Sequence, residues 1–380
     1  MKLFHLSDLH IGLKLMNRDL QEDQRYLFDQ IARLAEERKP DAVIIAGDIY
    51  DKAVPAAEAV SLFDWFVERL TQAVPDAVIM MISGNHDSAP RVNCFRGVLS
   101  RQHIYMVGLP PETEEQFIEK VVLEDEYGDV NFYLLPFVKP SMVKGVVGVD
   151  DNGNNLSYQE SIRRLLEREQ IDTAQRNVFV SHQFYLPGGT NADEVERMDS
   201  EIRIVGNIDQ VSAELLQDFD YVALGHIHKP MKVGSEWIRY CGTPLACSVS
   251  EAGQQKGVIQ VDLGPKGERK TEVLPLHPLR QVRVIKGELE EVLTQACEDY
   301  VSVVLTDKAD GNVFDMQERL RVAFPNLLEI RRETIRQADY TRTNVAYEQI
   351  EPYSLCQQFL KEVDEQEEKI LRDVIRKVQE

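Results

Sequence analysis

Five short polar motifs carry the side chains best able to do chemistry: Asp8-Leu9-His10, Gly47-Asp48-Ile49-Tyr50-Asp51, Asn85-His86-Asp87, Ser181-His182 and His226-Ile227-His228. Each stands where an apolar run stops, as in VIMMISGNHDSAP. A core strand ending on polar side chains is costly unless a ligand meets them there. Carboxylate, imidazole and amide oxygen form a mixed N/O donor set, suited to manganese, iron, cobalt or zinc rather than calcium. In Asp-x-His and His-x-His both side chains fall on one face of an extended segment, because the strand period is two. Asp8, His10, Asp48, Asn85, His182, His226 and His228 are too many ligands for one ion. They suit two divalent ions about 3.5–4 Å apart that share a carboxylate. Such a pair binds phosphate oxygens, activates water and stabilises charge in an in-line displacement, so phosphoester hydrolysis is the reaction class.

The elements that must position these motifs follow from the apolar pattern. Leu3 to Leu6, Ala42 to Ala46, Val78 to Ile82, Asn177 to Ser181 and Asp220 to Leu224 read as buried strands. Amphipathic helices are expected at Glu22 to Arg38 and Ala56 to Ala73. In the second, Val60, Phe63, Phe66, Val67 and Leu70 share one face. This alternation predicts an α/β layered domain. From Phe117 the runs FIEKVVLE, VNFYLLPF and GVIQVDL read as antiparallel strands, so a sheet-on-sheet core flanked by helices accommodates both patterns. In open α/β sheets ligands bind at the carboxyl ends of strands, where all five motifs lie.

The expected domains are residues 1–279 for the catalytic domain, 280–340 for a small strand-helix-strand-helix-strand unit after the linker-like VLPLHPLR, 341–353 for a second linker, and 354–380 for a helical segment. That segment lacks Gly and Pro. Its apolar stripe runs through Leu355, Phe359, Val363, Ile370, Leu371, Val374, Ile375 and Val378.

Composition sets bounds. With 380 residues the prior is two or three domains, and 43% hydrophobic with 28% charged residues fits a globular protein with a real core. No apolar window is long enough for a bilayer, and MKLFHLSDLH turns polar too soon for a signal peptide, so a cytoplasmic protein is expected. The five cysteines form no C-x-x-C pair and read as reduced thiols. A net charge of -21 argues against nucleic acid, which needs Lys and Arg at its phosphates. Bound cations or a basic partner would weaken that objection.

Taken in order, D-x-H, G-D-x-x-D, G-N-H-D, S-H and G-H-x-H resemble the calcineurin-like metallophosphoesterase superfamily. The phrases SDLHIG, GDIYDKAVP, SGNHDSAPR, SHQF, DYVALGHIHKP and RYCGTPLACSVSE look like its bacterial DNA-nuclease branch, up to about residue 260. The resemblance implies a four-layer α-β-β-α sandwich with a small α/β capping domain and a C-terminal helical tail. It implies that Asp8, His10 and His228 hold one ion, that Asn85, His182 and His226 hold the other, and that Asp48 bridges them. His86 would protonate the leaving oxygen. Asp51 would orient His86, or else only cap the following turn. The implied activity is manganese-dependent, exonucleolytic on duplex ends and endonucleolytic on hairpins or single strands, in DNA repair. The implied partners are DNA, a second copy of the chain, and a coiled-coil ATPase subunit docked on the helical tail; the tail packing back on its own core is the alternative. A phosphoesterase acting on something other than DNA and a non-catalytic scaffold are the rival functions.

The remaining polar candidates have plainer readings. His5 is a core residue of the first strand, and His103 and His277 lie in loops without ligand neighbours. Asp87 shapes its own loop, Cys241 and Cys247 flank a turn, and Tyr50 packs. Arg91 is a surface arginine, and the basic run Ile330 to Arg336 reads as a solvated strand edge, with tracking of a DNA backbone as the alternative.

Overall fold

The computed structural model describes residues 1–189, 201, 209–307 and 313–333. Two six-stranded sheets dominate. The first runs, in spatial order, Arg269–Pro275, Gly257–Leu263, Lys2–Leu6, Ala42–Ala46, Val78–Ile82 and Ile104–Val107. Its last four strands are parallel, and Gly257–Leu263 returns antiparallel to Lys2–Leu6. The second runs Met231–Val233, Ser235–Tyr240, Tyr221–Leu224, Arg176–Ser181, Gly128–Leu135 and Glu119–Asp125, with a parallel centre and antiparallel edges.

Strand alternation sorts the side chains into layers. Leu3, Ile44, Met80 and Ile82 of the first sheet meet Phe132, Leu134, Val178, Val180 and Ala223 of the second between the sheets. Phe4, Val43, Ile45 and Met81 point outward onto the helices Gln21–Arg38 and Ala57–Ala73. Tyr133, Phe179 and Leu224 point the other way, onto Pro140–Val147 and Tyr158–Arg168. The result is an α-β-β-α sandwich. Its central strands are apolar throughout because both faces are covered. One expectation is corrected: Val60 is 45% exposed, and the buried face of its helix is Ala59, Leu62, Phe63, Phe66 and Leu70. Val60 sits about 100° around the helix from Ala59, beyond the stripe that meets the sheet.

After Pro275 the chain forms a three-stranded parallel sheet, Val282–Gly287, Tyr300–Leu305 and Leu327–Arg332, crossed by helices Leu289–Leu293 and Val313–Ala323. Parallel neighbours require such crossovers. Ile285, Val292, Val301, Val303, Leu320 and Phe324 give it a core of its own. It belongs to the same compact unit, residues 1–333, as the sandwich. Tyr300 Oη and Arg280 Nη1 both donate to Asp23 Oδ2 at 2.8 Å, and Arg280 Nη2 donates to Glu22 at 2.7 Å. Arg18 Nη2 donates to Pro325 O at 3.1 Å. Residues 334–340, the linker 341–353 and the helical segment 354–380 with its apolar stripe lie outside the described residues. No helix among the described residues is long and apolar enough to cross a membrane.

Candidate metal centre

Five strands, Lys2–Leu6, Ala42–Ala46, Val78–Ile82, Arg176–Ser181 and Tyr221–Leu224, end at one edge of the sandwich, and their motifs converge there. The first two loops run side by side: Asp8 N–H donates to Gly47 O at 2.9 Å, and His10 N–H donates to Asp48 O at 3.1 Å. Asp8, His10, Asp48 and His226 have φ of 51°, 42°, 48° and 101°, in the left-handed region. Strained backbone of this kind costs about 1–3 kcal/mol per residue and collects at functional sites. Two glycines make the room. A Cβ on Gly47 would run into the His182 ring, and one on Gly84 into the Asp48 carboxylate.

Asp8, His10 and His228 offer ligand atoms within 4.8 Å of one another, as do Asp8, Asp48 and His182. His10 Nε2 lies 3.0 Å from His228 Nε2. Asn85 Oδ1 sits between His182 Nε2 at 3.0 Å and His226 Nδ1 at 2.8 Å. Asp48 Oδ2 stands between the two groups, 3.2 Å from His182 Nε2 and 3.8 Å from His10 Nε2. The structure thus brings all seven predicted ligands together. Apart from the half-buried Asn85, none is more than 6% exposed.

The electrostatics are those of a site short of positive charge. Burial pushes the Asp8 carboxyl up, with Asp48 adding to the push and His182 and His228 opposing it. Burial alone would also raise Asp48, but His182 above all outweighs it and holds this carboxyl well below the usual range. Burial would lower the His182 ring, yet Asp48 and Asp8 carry it to about 9. His10 is driven down by burial and by His228. Its Nδ1 is buried with no hydrogen-bond partner among the described residues. Converging lone pairs and carboxylates shared between imidazoles fit divalent cations.

His86 is half-buried beside this cluster, its ring edge-on to His10 at 4.8 Å between centroids. Its main-chain N–H donates to Asp48 Oδ1 at 2.8 Å, and its Nδ1 meets the Asp51 carbonyl oxygen at 3.0 Å. The Asp51 carboxylate lies elsewhere, 3.9 Å from His10 Nδ1. Asp87 accepts the N–H groups of Ile49, Tyr50 and Gly84, and is pushed up to about 6 by burial and Asp48. A cavity of about 290 Å³ opens over His10, Asp51, His86 and His228, and Arg331 of the strand Leu327–Arg332 lines it too.

The plainer candidates fall as expected. His5 joins the two sheets through Tyr221 Oη at 2.9 Å and Leu224 O at 3.2 Å, and burial lowers it to about 3. Tyr50 packs on Phe63, Arg91, His103 and His277 are exposed, and burial raises the Cys241 and Cys247 thiols. Sequence reasoning missed Glu251, Lys256 and Thr243, which stand behind His228. The only sequence signal was the phrase RYCGTPLACSVSE, which contains Thr243 and ends on Glu251.

Comparison with known proteins gives the family. The calcineurin-like phosphoesterase family profile matches residues 1–230, and that of the type 5 capsule protein repressor C-terminal domain matches residues 278–364. SbcD, the D component of the nuclease SbcCD, from Staphylococcus epidermidis is 29% identical over 337 residues, covering 87% of this chain and 85% of its own. Among solved structures, a dimetal phosphatase from Danio rerio is 13% identical with a TM-score of 0.39, over 72% of this chain and 98% of that chain. A Thermus thermophilus protein is 12% identical with a TM-score of 0.38, over the same shares.

Proposed function

The chain belongs to the calcineurin-like phosphoesterase family, and on that premise we propose that it is a two-ion, manganese-dependent DNA nuclease of the SbcD kind. The observation that carries this reading is the placement of Asp48 between two groups of buried ligands. Asp8, His10 and His228 would hold one ion, Asn85, His182 and His226 the other, and Asp48 would serve both. When bound, the ions supply a Lewis acid for the phosphate and an activated water.

The chain's own groups do the rest. The His86 Nδ1–H donates to the Asp51 carbonyl, which fixes the ring and leaves Nε2 for the leaving oxygen. A positioned imidazole suits that general-acid task. Asp51 acts through its main chain, and its carboxylate faces His10 instead. Met16, Leu13 and Leu15 wall the cavity and limit water, and Arg331, ion-paired with Glu329, lines it too.

In this reading the protein is cytoplasmic. It works as a homodimer with an SbcC-type ATPase in a heterotetramer, cutting duplex ends exonucleolytically and hairpins or single strands endonucleolytically in DNA repair. Residues 354–380 bind the ATPase. Their support is the apolar stripe in the sequence and the likeness to SbcD. The partner supplies much of the DNA grip that a net charge of -21 withholds.

The test is a Mn²⁺-dependent assay on blunt duplex, hairpin DNA and bis(p-nitrophenyl) phosphate. Cleavage of all three is expected. Hydrolysis of the small diester alone would remove DNA as the substrate. A chain ending at residue 353 is expected to keep small-diester activity and lose the ATPase subunit in a pull-down; retained binding would reassign the segment.

A further inference from the structure

Behind His228 lies a buried ion pair that the chemistry above leaves unused. Glu251 is 1% exposed and Lys256 6%, and Glu251 Oε2 is 2.6 Å from Lys256 Nζ. Charges this deep are seldom a net gain in stability, because desolvation offsets their attraction. Their arrangement suggests a different purpose. Glu251 Oε1 is 3.4 Å from His228 Nδ1. Cys247 N–H and Ser248 Oγ donate to the same oxygen, each at 3.2 Å. Thr243 Oγ1 donates to Oε2 at 2.9 Å. Lys256 Nζ also donates to the main-chain oxygen of His228 at 3.0 Å, and Thr243 N–H reaches that oxygen at 3.2 Å. His228 is therefore held at the ring by the Glu251 carboxylate and at its main-chain oxygen by the Lys256 ammonium, while its N–H donates to Glu201 Oε1 at 2.9 Å.

We infer that Glu251 and Lys256 form a positioning unit that fixes the ring and tautomer of His228 and so sets the affinity of one of the two ion positions. The inference rests on the reading of His228 as an ion ligand. A carboxylate on Nδ1 keeps the hydrogen there, turns the Nε2 lone pair outward and raises its basicity. Nε2 is the atom that faces His10 Nε2 at 3.0 Å. The opposite position is built differently: His182 Nδ1 meets a neutral carbonyl, Ala46 O, at 2.7 Å. Unlike partners behind the two groups make their ions inequivalent.

The experiment titrates Mn²⁺ into the full-length chain by calorimetry and follows the dinuclear signal by electron paramagnetic resonance. The variants are E251Q and the paired apolar replacement E251L/K256M. The wild type is expected to bind two ions. E251L/K256M is expected to melt below the wild-type temperature, because Thr243 Oγ1, Cys247 N–H, the His228 ring and the His228 main-chain oxygen lose buried partners. It should bind one ion about 10–100-fold more weakly, the usual cost of losing an outer-shell partner, and the other unchanged. E251Q keeps an acceptor at the same place and is expected to lose about tenfold or less. It also serves if the double variant does not fold. Two wild-type affinities in the apolar pair, or in E251Q an equal loss at both positions, would make the pair a structural element only and overturn the inference. A wild type that binds no Mn²⁺ would instead overturn the ion-centre reading beneath it.

Discussion

Replacing His86 with Ala separates the fold, the ions and the chemistry in one variant. The half-buried side chain makes one hydrogen bond to the main chain, to Asp51 O, so its removal costs about 1 kcal/mol of stability. The bond that orients Asp48 comes from the His86 main-chain N–H, which an alanine keeps. Ion binding is therefore expected to stay within a few-fold of wild type. The rate is expected to fall by about 10²–10⁴, the usual contribution of a general acid, which corresponds to about 2.7–5.5 kcal/mol of barrier. The decisive assay varies the leaving group. DNA expels a strongly basic alkoxide and needs the proton; p-nitrophenolate leaves without it. H86A should therefore lose most of its DNA cleavage and little of its bis(p-nitrophenyl) phosphate hydrolysis. Equal losses on both substrates would refute the general-acid role. Collapse of ion binding would instead place His86 among the ligands, an outcome its proximity to His10 and Asp48 makes concrete.

Three further outcomes are expected. Asp48→Asn should weaken both ions and abolish hydrolysis, read by calorimetry beside the activity assay; loss of only one ion would remove Asp48 from its shared place. His182 must lose a proton to bind an ion, and its pKa in the free protein is raised to about 9. Apparent Mn²⁺ affinity at the His182 position should therefore climb with pH, about tenfold per unit toward pH 9, and level off above it, with one proton released as that ion binds, read in buffers of different ionisation heat. Asp23→Ala should destabilise the chain by about 2–4 kcal/mol, less than a fully buried pair because Arg280 keeps Glu22 and is partly exposed. Small-diester hydrolysis should persist; an unchanged melting temperature would show that Asp23 does not tie the three-stranded unit to the sandwich through Arg280 and Tyr300.

Much of the sandwich was legible because its central strands are short apolar runs cut off by polar motifs, a pattern local enough to read. The convergence of the seven candidate residues at the strand ends was legible for the same reason. What the chain does not advertise is long-range pairing: nothing near Gly257–Leu263 says that it returns to Lys2–Leu6. Side-chain and main-chain partners are also indistinguishable by spacing. The family resemblance offered the Asp51 carboxylate for His86, whereas the atom that meets the ring is the Asp51 carbonyl oxygen. Glu251 was invisible because its partner His228 stands 23 residues earlier, joined to it only by the folding of the intervening turn. Val60 shows the limit of helical periodicity, which finds a face without finding its edges.

Asp8, Asp48 and Asn85 follow strands of one sheet, and His182, His226 and His228 follow strands of the other. A cation seated among them is a rivet driven through two plates. Whatever free energy it gains on binding is added to the cohesion of the layers, about 2.7 kcal/mol for each ion present at a hundred times its dissociation constant. Chelation should then soften the whole sandwich, so that its melting point becomes a gauge of occupancy even where no substrate is present.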